Sequence, residues 1–218
     1  MGKKTQETVK IEILPPNFKT ITLKVVGASP LMMHKFSTKM KKQMEEKQTA
    51  RDVTKKKREP KDYKAEFNAA RYISTAGWDG VPSTMFRHAM IAACRTISGL
   101  AMTQAKGAFF VKADGREKEE GIGLIKIIGK VTHDTRPVRL ESGVADMRNR
   151  PRYDDWSCNI TIEYDADRLS ANDIANLLAR AGLQVGIGEL RPQGKRSFGG
   201  DFGMWTVETA KKLRAAAA

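Results

Sequence analysis

Trp156-Ser-Cys-Asn-Ile-Thr-Ile-Glu-Tyr164 and the stretch that follows it, Ser170-Ala-Asn-Asp-Ile-Ala-Asn-Leu-Leu-Ala-Arg-Ala-Gly182, decide the fold. In the first, Trp156, Cys158, Ile160, Ile162 and Tyr164 alternate with Ser157, Asn159, Thr161 and Glu163. A period of two puts one side of a strand into a core and leaves the other outside it. In the second, Ile174, Leu177, Leu178 and Ala181 recur at helical spacing. Ser170 and Asp173 form a capping-box-like start with Asp in place of Glu, and Gly182 supplies the expected stop. A half-buried strand feeding an amphipathic helix is one half of an α+β unit.

The other half lies nearer the N-terminus. Val9, Ile11 and Ile13 alternate with Lys10 and Glu12, and Ile21, Leu23 and Val25 alternate with Thr20, Thr22 and Lys24 after the Pro15-Pro16-Asn17 break, which predicts two strands. A helix begins at Pro82 and Ser83, buries Phe86, Ala89, Met90, Ala93 and Ile97, and ends at Gly99. Its other side carries Arg87, His88 and Arg95, facing a ligand or water. Strands at Gly107 to Lys112 and Ile122 to Ile128, split by Asp114-Gly115 and the charged run Arg116 to Glu120, read as a hairpin. A last hairpin is expected from Leu183 to Gly188 and Phe202 to Val207. The order predicts an α+β fold on the RNA-recognition-motif or ferredoxin-like plan: an antiparallel sheet with helices on one face and the other face free for a ligand. No internal repeat at a fixed period is present.

Charge narrows the partner. The 218 residues carry 39 Lys plus Arg against 25 Asp plus Glu, a net charge of +14, which attracts a polyanion and releases its counterions. Two segments concentrate it. Residues 35–64 hold Lys35, Lys39, Lys41, Lys42, Lys47, Arg51, Lys55, Lys56, Lys57, Arg58, Lys61 and Lys64. Met40, Met44 and Lys47 fall near helical spacing there, but no broad apolar stripe exists and Pro60 interrupts, so a basic insertion that is helical in part and mobile when unbound is expected. Residues 130–155 hold Arg136, Arg139, Arg148, Arg150 and Arg152, and Pro137 and Pro151 argue against regular structure. One domain spanning 1–218 with two basic excursions fits this length.

With no apolar run long enough to span a bilayer, no signal peptide at the start, and Gln6 breaking the myristoylation pattern, the expectation is a cytoplasmic protein with no membrane partner. Cys94 and Cys158 read as buried apolar residues in a reducing compartment.

The chemistry concentrates in Gly186-Ile-Gly-Glu-Leu-Arg-Pro-Gln-Gly-Lys-Arg-Ser-Phe-Gly-Gly-Asp-Phe-Gly203. Glycines let a backbone approach a phosphate, Arg191, Lys195 and Arg196 supply charge, and Phe198 and Phe202 offer planes for unstacked bases. The alternative is a long hairpin whose glycines only make turns. Gly186-x-Gly188 is followed by Arg191 where a dinucleotide turn needs its third glycine, and Gly194-Lys195 by Arg196 where a phosphate loop needs Ser or Thr, so no cofactor is predicted. His34, His88 and His133 lack metal-ligand spacing, and no metal is predicted. Asp154 and Asp155, being adjacent, balance nearby arginines rather than form a catalytic pair.

Three stretches, Gly27-Ala-Ser-Pro-Leu-Met-Met-His-Lys-Phe36, Val81-Pro-Ser-Thr-Met-Phe-Arg-His-Ala89 and Gly186 to Gly203, occur in an order that resembles the RAMP superfamily, and within it the guide-RNA-binding backbone subunit of CRISPR effector complexes. The resemblance spans about Thr20 to Val207 and each motif is short. It implies an RNA-recognition-motif-like core, fingers at 35–64, a thumb hairpin at 130–155, part of the strand-binding surface at 186–203, and head-to-tail assembly into a homo-oligomer or filament, with other effector subunits as further partners. The candidate contacts to a single strand, RNA favoured over DNA, are His34, Lys35, Arg87, Arg95, Arg148, Arg150, Arg152, Arg191, Lys195, Arg196, Phe198 and Phe202. No catalytic residue is assigned. Relatives that cut target RNA place an aspartate after the first strand, and Leu31 to Ser37 contains none, which counts against cleavage by that route. A metal-independent endonuclease using His34 with Tyr63 or Tyr72, and a single-stranded DNA-binding or annealing protein, are the alternatives.

Overall fold

The strand that contains Trp156 to Tyr164 is the spine of the molecule. The computed structural model describes residues 14–36, 38–49, 61–139, 143, 145–193 and 199–208, so the expected strand at Val9 to Ile13 lies outside the described residues. The elements are, in order, β1 (Phe18–Gly27), β2 (Leu31–Met32), α1 (Thr38–Thr49), α2 (Tyr63–Ala69), β3 (Gly80–Pro82), α3 (Ser83–Ala93), α4 (Met102–Ala108), β4 (Phe109–Lys112), β5 (Gly115–Arg116), β6 (Gly123–Lys126), β7 (Ile128–Arg139), β8 (Ala145–Asp165), α5 (Ala171–Gln184) and β9 (Trp205–Val207). The fold is α+β with antiparallel sheets.

β8 pairs antiparallel with β1 and β2 on one side and with β4 and β7 on the other, and β9 adds to the free edge of β1. Across the C-terminal half of β8 the strand order is β4-β8-β1-β9. The register places Ile21 opposite Ile162, Leu23 opposite Ile160 and Val25 opposite Cys158, all facing a core shared with Phe86 and Met90 of α3 and Ile174, Leu177 and Leu178 of α5. Thr22, Lys24, Asn159 and Thr161 face the other way. Ser170 caps α5 reciprocally, accepting from Asp173 N at 3.1 Å while its own N donates to the Asp173 carboxylate at 2.9 Å. Cys94 and Cys158 are buried and free.

Several expectations need correcting. The segments 107–112 and 122–128 are not one hairpin: Gly107 lies in α4, β4 joins β8, and β6 joins β3 and β5 in a separate sheet. The apolar Phe109 and Val111 complete the main sheet opposite Tyr164 and Ile162, whereas Leu124 and Ile125 of β6 are fully buried, Ile125 in the same core as Phe109. Residues 130–139 and 145–155 are not irregular but pair antiparallel in β7 and β8 as the β7–β8 hairpin. Pro151 needs only its carbonyl, which accepts from Met33 N at 3.0 Å, and Pro137 sits in β7, an edge strand among the described residues, where a missing N–H is tolerated.

Gly182 does not stop α5, which runs to Gln184 and turns at Gly186, φ 70°. Gly182 is there for close approach: a Cβ would lie 2.3 Å from the Trp205 carbonyl oxygen. Because the helix consumes Leu183 and Gln184, no hairpin forms between 183–188 and 202–207; β9 pairs with β1 instead. Gly99, φ 87°, lies beyond the end of α3 and a 3-10 turn at Cys94–Thr96. In the first basic segment, α1 and the start of α2 are helical, and 50–60 lies outside the described residues.

Candidate functional site

Alternation along β8 puts Asp146, Arg148, Arg150, Arg152 and Asp154 on one face, and the register sets Arg136 of β7 opposite Arg148 and Asp134 opposite Arg150. Like charges directly opposite repel, so the aspartates interleave. Arg136 donates to both Asp134 oxygens, at 2.6 and 2.5 Å. Arg152 donates to Asp154 at 2.7 Å and reaches Asp134 at 3.5 Å. Arg148 donates to Asp146 at 3.1 Å, and Lys61 pairs with the same carboxylate. The Arg136 bond holds the Asp134 carboxyl below the usual range, and the Lys61 bond does the same for Asp146. The side chains of Arg136, Arg148 and Arg152 keep 30–32% exposure, so their outer edges remain reachable.

The described ends of the glycine-rich segment, 186–193 and 199–203, lie beside this row. Glu189 N donates to Met32 O at 2.9 Å and Gly203 N to Pro30 O at 2.8 Å, which fixes the segment beside β2. Gly188 permits that approach, since a Cβ there would sit 2.3 Å from Met32 O. The Phe202 ring consequently comes within 5.3 Å of the Arg136 guanidinium and 5.9 Å of that of Arg152. Arg150, buried, reaches Glu189 at 3.5 Å. His34, just past β2, is half-buried and stacked near Phe36. Burial is the main cause that lowers its pKa; Glu189 opposes it, and Arg150 and Arg148 push the same way as burial. The other face of the hairpin is covered by α2: Asn149 donates to Glu66 at 3.0 Å, and Phe67 packs on His133 with ring centroids 4.7 Å apart.

His34, Arg148, Arg150, Arg152 and Phe202 are thus brought together, with Arg191 beside them donating to Gly188 O at 2.8 Å. Lys195, Arg196 and Phe198 lie outside the described residues. Lys35 is placed elsewhere: buried, with its ammonium 2.8 Å from Glu117 and 2.7 Å from Glu119. Arg87 is tied to the Phe109 carbonyl at 3.2 Å and lies over the Phe110 ring, at the opposite end of β8. Arg95 is exposed beyond α3 and contacts Met102 Sδ. Asp154 pairs with Arg152 and not with Asp155.

Sequence reasoning missed the roles of Asp134, Arg136 and Glu189. A signal existed: Asp134-x-Arg136 and Asp146-x-Arg148-x-Arg150-x-Arg152-x-Asp154 keep a period of two written in charges instead of apolar residues. His34 makes no hydrogen bond to Tyr63 or Tyr72 among the described residues. A cavity of about 340 Å³ is lined by Lys35, Phe36, Lys41, Met44, Tyr72 and Glu120, and His34 is not among its lining residues. Among the described residues no three His, Cys, Asp or Glu side chains converge as metal ligands, and no helix is long and apolar enough to cross a membrane. In comparisons with known proteins, the chain matches no protein-family model and no curated protein.

Proposed function

We propose that this chain binds single-stranded nucleic acid, RNA in preference to DNA, through the strand's backbone, and that it assembles along its ligand as a cytoplasmic RAMP-like subunit. The observation that carries the reading is the meeting of the Arg136 and Arg152 edges with Phe202, with Arg148 opposite Arg136 in the same hairpin register. Guanidinium edges suit phosphate oxygens, and an aromatic plane among them suits an unstacked base. The aspartates orient those planes in advance, which lowers the ordering cost of binding. The strand order β4-β8-β1-β9, with α3 and α5 as the crossovers, supports the split βαβ plan of the RNA-recognition motif.

The test is purification followed by an absorbance ratio, then size exclusion before and after RNase and DNase. The expected result is a large species that RNase collapses. Collapse by DNase alone assigns the DNA alternative, and new RNA ends on incubation, lost in His34→Ala, assign the endonuclease. A monomer that binds no single strand at low salt overturns the reading.

A further inference from the structure

Arg150 is the anomaly in the arginine row. Its neighbours have aspartates at 2.5–3.1 Å, whereas Asp134, directly opposite Arg150 in the register, is occupied by Arg136 and Arg152. The Arg150 side chain is only 7% exposed. Its Nε is buried and has no hydrogen-bond partner among the described residues, and its Nη1 reaches no better acceptor than Met32 Sδ at 3.7 Å. Among the described residues the carboxylate that pairs with it, Glu189, stands 3.5 Å from Nη2, longer than the ~2.7–2.9 Å of a charge-assisted hydrogen bond. A guanidinium carries five N–H donors, and burying one without full pairing is strongly penalised.

Glu189 sits on a turn whose backbone is fixed while its side chain is not. Gly188 before it and Leu190 after it both have positive φ, 75° and 58°, and Leu190 is the one such non-glycine residue described. Main-chain bonds from Glu189 N to Met32 O and from Phe202 N to Leu190 O pin the turn. The Glu189 side chain is 41% exposed, so rotation about its own side-chain bonds can carry the carboxylate into solvent without disturbing the backbone.

We propose that Glu189 is a displaceable stand-in for a phosphate. On this inference, which rests on the single-strand reading above, an arriving phosphodiester takes the place of the carboxylate on Arg150 Nη2 and Glu189 swings outward. The exchange replaces one long ion pair by shorter charge-assisted bonds to the phosphodiester's two anionic oxygens. Glu189 then acts as a gate that weakens binding of any anion unable to displace it.

The experiment compares wild type, Glu189→Gln and Glu208→Gln. Glu208 pairs with Lys24 at 3.3 Å on a different part of the sheet, so its variant reports the general effect of deleting one negative charge. Fluorescence anisotropy with labelled oligouridylate measures strand binding, and thermal shift with inorganic phosphate measures the seat alone. Glu189→Gln is expected to bind oligouridylate roughly tenfold more tightly than wild type, with Glu208→Gln changed less than about twofold. Equal effects of the two variants, or no tightening, overturn the gate while leaving strand binding intact. If no variant binds oligouridylate but phosphate selectively raises the Tm of Glu189→Gln, the seat stands and the single-strand reading falls. If phosphate also acts alike on all three, both fall.

Discussion

The Glu117 side chain is fully buried and accepts three hydrogen bonds, from Lys35 Nζ at 2.8 Å and from the backbone N–H groups of Glu119 and Glu120 at 2.8 and 2.5 Å. Burial alone raises a carboxyl pKa, but here the bonds outweigh it and hold Glu117 below its ordinary value; the same pairing keeps Lys35 charged despite burial. A depressed carboxyl contributes stability that is complete above its unfolded pKa, about 4.3, and is lost as pH falls through the lower folded value. Glu117→Gln is expected to lose about 3 kcal/mol at neutral pH, because it leaves a buried ammonium half-paired. Denaturant unfolding of both proteins checks this, and the gap between them narrows below about pH 4; a gap unchanged in acid refutes the assignment. The lysine at position 35 was a strand contact on sequence grounds because it opens a basic run. Its partners are in the β5–β6 turn, far along the chain, and no local pattern announces them.

At the scale of elements, α5 and β9 are locked by contact between Gly182 and the Trp205 backbone. Gly182→Ala forces a methyl into a space that a carbonyl already fills, and overpacking of this kind costs about 1–3 kcal/mol. The expected result is a drop in Tm with an altered near-ultraviolet signal from Trp205, whose ring meets Phe86 edge-on at 5.2 Å. An unchanged signal would mean that β9 does not depend on this contact. The helix itself was readable, cap and stripe together, since both are local. Whether a glycine ends a helix or admits a neighbour is not, because the neighbour is named only by the fold. The β7–β8 hairpin shows the same limit from the other side: its strands bury few apolar residues near the tip, so the periodicity that betrays strands elsewhere is carried there by ion pairs.

Salt dependence is a property of the whole molecule. A single strand gripped through its phosphates by Arg136, Arg148, Arg152 and Arg191 gives a slope of log K against log salt of roughly −3, at about −0.7 per phosphate. Phe202→Leu is expected to weaken binding roughly tenfold with that slope unchanged, while Arg148→Gln reduces it by about 0.7. Anisotropy titrations over a salt series separate the two, and a flat slope for the wild type excludes a backbone-led grip. By itself the sequence determined the two strand-helix halves, the α+β class and the basic balance, because hydrophobic period, helix caps and net charge are written in neighbouring residues or simple sums. Only the tertiary structure decided which strands pair, that β4 and β6 part into different sheets, and which arginines stand beside Phe202 and which are anchored elsewhere. Those outcomes rest on contacts between residues distant along the chain, where the choice of partner depends on register and burial rather than on any local pattern.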